Sequence, residues 1–147
     1  MRLSALIVGL CVAASAALPA LAQNESVIRE RQQLMKNNGK ASRTASELIK
    51  GSQPFDAAVA AGVFQTLNDD AKKFATLFPE DSKTGGKTEA SPAIWEKPAE
   101  FKAANDKFIT ETQAAIDAKP ADLESFKVAF TKVAANCQGC HQQFRQR

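Results

Sequence analysis

Residues 122–144, DLESFKVAFTKVAANCQGCHQQF, place Leu123, Phe126, Phe130, Val133, Cys137, Cys140 and Phe144 at steps of three and four. Such steps return to one face of an α-helix, so the stretch reads as a helix with a single buried stripe. Asp122 stands where an N-cap is wanted, its carboxylate able to accept from the first free N–H groups. A helix with one apolar stripe must be covered by other elements.

The rest of the chain supplies them as helices. Upstream, a third helix follows Pro98 with Phe101, Phe108, Thr112 and Ile116 inward, and Pro120 breaks it. A second starts near SQPFD, Pro54 suiting a first turn, and runs to Phe78-Pro79 with Phe55, Val59, Val63, Leu67, Phe74 and Phe78 on one face. The first carries Val27, Ile28, Leu34, Met35, Ala41, Ala45, Leu48 and Ile49, with Asn24 as expected N-cap and Gly51 as stop. KNNGK (36–40) would ordinarily mark a turn, yet the apolar rhythm resumes in phase beyond it, so the helix is read as continuous. The longest connection, EDSKTGGKTEASPAIWEKP (80–98), is polar and Gly-rich, with Ser91-Pro92 able to open a short helical piece bearing Ile94 and Trp95. No strand pattern or internal repeat interrupts this order. The fold class is all-α, an antiparallel up-down-up-down four-helix bundle.

Residues 1–22, MRLSALIVGLCVAASAALPALA, are a different material. A basic start, a short apolar run and a small-x-small ending describe a cleaved secretory leader. The run is short for a bilayer span and is followed by Pro19 rather than basic stop-transfer residues. Cleavage after Ala22 is expected, leaving residues 23–147 as one exported domain with no membrane insertion. The formal charge of +3 falls further when Arg2 leaves, too little to point to nucleic acid. Cys11 leaves as well, so every remaining thiol is Cys137 or Cys140.

Those two thiols and His141, the sole histidine, share one turn of helix. C-x-x-C-H is the attachment signature of c-type haem, two thioethers with the following histidine on iron. Structural zinc normally takes four Cys/His ligands, and three remain here. A redox pair of the thioredoxin kind opens a helix, whereas this one lies near a helix C-terminus, where the dipole opposes a thiolate. A disulfide between these helical positions is geometrically poor. One covalent haem c with its iron is the expected cofactor.

The opposite axial position then decides the function. No second histidine exists, and after leader removal Met35 is the one methionine. It falls on the inner face of the first helix, whose N-terminal half lies beside the end of the fourth in an antiparallel bundle. A thioether there makes a six-coordinate electron carrier with Met35 and His141 on the metal. Met35 as core filling leaves an open iron that takes small gases. A haem-free thiol–disulfide protein is the further alternative.

The terminal motif with QQFR after it, together with RQQLMKNNG (31–39), KGSQPFDAA (50–58), LFPEDS (77–82) and SPAIW (91–95), resembles the class II c-type cytochromes, the cytochrome c′ superfamily. The likeness is greatest to the low-spin cytochrome c-556 branch and covers the whole mature chain. It implies thioether sites at Cys137 and Cys140, a proximal ligand at His141, a distal ligand at Met35, and Arg31 near a haem propionate. It also implies Arg145 near the proximal imidazole, a periplasmic location in a bacterium, redox partner proteins, and a possible homodimer through the first two helices. A carrier of single electrons makes no bonds in a substrate, so no enzyme activity is expected. Lys127 and Lys132, with Arg145 and Arg147, are candidates for steering acidic partners, with solubilising charge as the equal alternative.

Overall fold

The computed structural model describes residues 18–146, with side chains from Glu25 onward. Its helices are α1 (Leu18–Lys50), α2 (Ala57–Phe74), α3 (Ala93–Glu96), α4 (Pro98–Ala118) and α5 (Leu123–Phe144). The expected third and fourth bundle helices are α4 and α5, and α3 is the short piece carrying Ile94 and Trp95. A single 3-10 turn, Glu80–Ser82, follows α2. Most of the expected leader lies outside the described residues. Among the described residues, no helix is long and apolar enough to cross a membrane.

Three boundaries differ from expectation. α1 begins at Leu18, so Asn24 lies inside the helix rather than capping it. The preceding Leu and Ala are good helix formers, and Pro19 falls in the first turn, where a missing N–H costs nothing. α2 starts at Ala57, after Pro54, because the Asp56 carboxylate accepts from the N–H groups of Ala58 (2.7 Å) and Val59 (3.0 Å). It also stops at Phe74 rather than Phe78. Phe78 precedes a proline and is biased away from helical backbone, and the chain turns before reaching it. Val59, expected on the apolar face, is 40% exposed; Ala60 and Phe64 take the inward positions beside Val63.

Elsewhere the pattern holds. α1 runs unbroken through Lys36 to Lys40 and ends at Gly51, whose φ of +70° suits a residue without a side chain. Pro98 opens α4 at its first position. Asp122 caps α5 in a reciprocal box with Ser125, its carboxylate accepting from the Ser125 N–H at 2.8 Å.

The bundle is packed at one end and hollow at the other. At the packed end Phe64 and Phe126 are wholly buried, with ring centroids 5.3 Å apart, among Ala45, Leu48, Val63 and Leu67. Burying each such ring contributes about 2–3 kcal/mol. Midway, a polar layer crosses the core. The Asn68 amide donates to Thr112 Oγ1 (2.9 Å) and Ile109 O (3.0 Å), and the Asn105 amide donates to Ala71 O (3.1 Å). α1 and α5 meet over a much shorter stretch than α1 and α2, α2 and α4, or α4 and α5 do. The ring of four helices is therefore loosest along one seam.

Hydrogen bonds from Ser125 hold the Asp122 carboxyl below the ordinary carboxylate value. A carboxyl lowered in the folded state stabilises above that ordinary value, and its contribution fades as pH falls through the folded one. Asp122→Ala is expected to lower the melting temperature most near about pH 7, with a smaller gap at about pH 3. Paired thermal melts at the two pH values check this.

Candidate functional site

The loose seam opens into a cavity of about 610 Å³, within the range of small-molecule and cofactor sites. All five residues singled out from the sequence line it: Arg31 and Met35 from α1, and Cys137, Cys140 and His141 from α5. Its back wall is aromatic, with Phe74, Phe78, Phe101 and Phe144 meeting edge to face or tilted at centroid distances of 4.7–6.3 Å. Gly39, one turn beyond Met35, also lines the cavity, and a Cβ there would meet nothing within 4 Å.

Cys137 and Cys140 are free thiols, half-buried, and burial raises both above the ordinary thiol value. No thiolate pair is poised for redox exchange. His141 sits at the solvent edge; desolvation first, then the nearby Arg145 cation, lowers its pKa, with Glu89 opposing. The imidazole is therefore neutral at neutral pH and keeps a lone pair for a metal. Met35 is half-buried on the α1 side of the same cavity.

No group of three or more His, Cys, Asp or Glu among the described residues could hold a bare metal ion. The donor set of the cavity is instead one imidazole, one thioether and two thiols around an apolar hollow. That set suits a metal arriving with its own equatorial ligands, as iron does in haem.

Arg31 does more than the sequence reading expected of it. It is 4% exposed, yet among the described residues no carboxylate pairs with it. Its guanidinium donates to Leu77 O (3.1 Å), Ser82 Oγ (3.0 Å), Ser82 O (2.9 Å) and Thr88 Oγ1 (3.3 Å). It also lies over the ring of Phe78, 4.7 Å from the centroid. All four acceptors belong to the stretch joining α2 to α4. That stretch becomes a strap across the mouth of the seam.

The strap is tied on both sides. Toward α1, Gly86 lies so near Ile28 that a Cβ would come within 3.0 Å of its Cγ2, and Gln32 Nε2 donates to Gly86 O (3.2 Å) and Lys87 O (3.1 Å). Toward α5, the Ser91 N–H donates to Phe144 O (3.0 Å) and the Gln146 N–H to Glu89 O (2.9 Å). Arg145 pairs with Glu89 at 2.6–2.7 Å. Trp95 donates its indole N–H to Phe78 O (3.0 Å), anchoring α3 to the same wall. Thr88, Glu89 and Ala90 thereby line the cavity, covering the side that the long connection left open in the sequence.

Sequence reasoning missed Ser82, Thr88 and Glu89, whose roles depend on partners more than forty residues away. Arg31 gave a signal: it stands three residues after Ile28, on the inward phase of α1.

A family model described as Cytochrome C′ matches residues 26–145. The chain belongs to the cytochrome c′ family. A cytochrome c′ of Rhodopseudomonas palustris is 40% identical over 128 residues, covering 86% of this chain and 85% of that protein. A cytochrome c-556 of Agrobacterium fabrum is 35% identical over 118 residues, 80% of each chain. The solved cytochrome c′ of R. palustris superposes with a TM-score of 0.78 at 38% identity, over 82% of this chain and 96% of that one. A structural model of oxidised R. palustris cytochrome c556 gives 0.74 at 27% identity, with the same coverage. Membership makes the chain a haem c cytochrome, with iron and covalent attachment, working in electron transfer or gas binding.

Within this cytochrome c′ chain, Arg31→Gln is expected to cost about 2–4 kcal/mol, since it strips a charged donor from several buried acceptors. Arg31→Lys should recover little of that, lacking the planar fork. Denaturant unfolding measures the loss, and hydrogen exchange at residues 80–92 should accelerate in both variants.

Proposed function

We propose that this chain is a periplasmic single-electron carrier whose haem is held by Cys137 and Cys140 and ligated by His141 and Met35. Supporting the reading is one observation above the rest: His141 on α5 and Met35 on α1 wall the same cavity from opposite sides of the seam. The haem iron, when bound, supplies a one-electron couple. The protein supplies everything that tunes it.

Each residue has a defined task. The two cysteines sit one turn apart on the cavity wall, spaced to hold a macrocycle by thioethers along the helix. His141 offers a neutral nitrogen. Met35 offers a thioether, which favours the reduced metal more than a second imidazole does. The four edge-packed phenylalanines exclude water and lower the local dielectric. Arg31, whose partners in the chain are all neutral oxygens, leaves its positive charge available to a propionate on the cavity side. Export through residues 1–22 brings the chain to the compartment where such carriers operate, and a carrier of single electrons makes no bonds in a substrate.

The reading at stake against it is a five-coordinate gas binder, the role that follows if Met35 only fills space. In the native reduced protein a low-spin spectrum without ready carbon monoxide uptake is expected. Met35→Ala should convert it to high spin and admit carbon monoxide. Native protein that takes up carbon monoxide at once, with a spectrum indifferent to Met35→Ala, overturns the carrier reading. Cys137→Ser and Cys140→Ser should each keep haem attached through denaturation, and the double substitution should release it.

A further inference from the structure

The outer face of α1 carries Lys36, Lys40 and Arg43 at i, i+4 and i+7, a single row about 10 Å long. All three are exposed. Elsewhere on the surface Arg29, Lys73, Lys102 and Arg145 each meet a carboxylate, whereas Lys119, Lys127 and Lys132 form no ion pair among the described residues. The row on α1 has no ion pair among the described residues, and Glu47, one turn past Arg43, forms none with it.

Position distinguishes this row from scattered surface charge. Lys36 lines the cavity, and so does Gly39, the residue between Lys36 and Lys40 on the mouth side. No side chain at Gly39 shields the cavity there, so a body resting on the row comes within reach of whatever fills the hollow. Lys127 and Lys132, which the sequence offered as steering charges, do not line the cavity. Lys127 stands about 15 Å down α5 from Cys137.

We infer that Lys36, Lys40 and Arg43 form the docking edge for an acidic redox partner protein, which places its carboxylates along α1 and its own redox centre opposite Gly39. The inference rests on the electron-carrier reading. Three unpaired cations beside an opening concentrate a local positive potential, which raises encounter rates with anions and is screened by salt. Gly39 gives the short approach that electron exchange needs, and the charges give the orientation.

The test uses the reduced holoprotein and ferricyanide, a small anionic oxidant that takes one electron and becomes ferrocyanide. Stopped-flow rates of the native protein are expected to fall about tenfold from low to high ionic strength. K36Q/K40Q/R43Q should remove most of that salt dependence, and K119Q/K127Q/K132Q, with the same loss of charge, should retain it. Binding of labelled poly-L-glutamate, read by fluorescence anisotropy and independent of the haem, should weaken at least tenfold in the first variant alone. Equal effects from the two triple variants would overturn the inference in favour of net charge. Anionic phosphatidylglycerol vesicles captured through the row, with poly-L-glutamate unbound, would overturn it in favour of a membrane surface. Carbon monoxide uptake by the native protein would sink the carrier reading while leaving these salt and binding comparisons readable, so the two failures are separable.

Discussion

A guanidinium buried in a protein without a counter-charge must be surrounded by oxygen, and Arg31 meets that demand by drawing the α2–α4 connection inward. Leu77 and Ser82 give carbonyls, Ser82 and Thr88 give hydroxyls, and the chain between them is fixed in consequence. Burial pulls the Arg31 pKa below its ordinary value without threatening its charge. From this one requirement follow the position of the strap, the closeness of Gly86 to Ile28, and the placing of Thr88, Glu89 and Ala90 over the seam.

The strap matters because the helices alone leave the bundle incomplete. α1 and α5 pack closely where small and medium side chains such as Ala41, Ala45 and Val133 face inward. Toward the other end Met35, Gly39, Cys137 and Cys140 face a hollow that no side chain fills. A flat aromatic cofactor matches the apolar, aromatic lining of this hollow, so it brings dispersion contacts as well as chemistry. Stability and function therefore draw on the same contact in this half of the molecule. The polar layer at Asn68, Thr112 and Asn105 marks the boundary between the half that stands on its own packing and the half shaped for a guest.

Much of this was legible in the residues. The stripes of α4 and α5 are regular because proline bounds α4 on both sides and Asp122 caps α5, so local and global signals agree. The motif at Cys137–His141 named its own chemistry, since thiols and an imidazole at that spacing have few other uses. The ends of α1 and α2 were harder. Whether Asn24 or Leu18 begins a helix depends on balances of tenths of a kcal/mol per residue, and Asp56 outcompeted Pro54 through hydrogen bonds that periodicity does not encode. The strap was illegible for a different reason. Its structure is written in Arg31, Phe144 and Gln146, distant in sequence, while its own Lys, Thr and Gly residues carry no rhythm.

The two cysteines are less acidic in the folded chain than ordinary thiols are. Sulfur reacts most readily as thiolate, and in the folded chain burial disfavours that form at both positions while the strap crosses the seam they line. An extended chain has neither obstacle, as its thiols regain ordinary acidity and stand open on all sides. The bundle thus holds its two sulfurs in the less reactive, protonated form, and opening the chain is what raises their nucleophilicity.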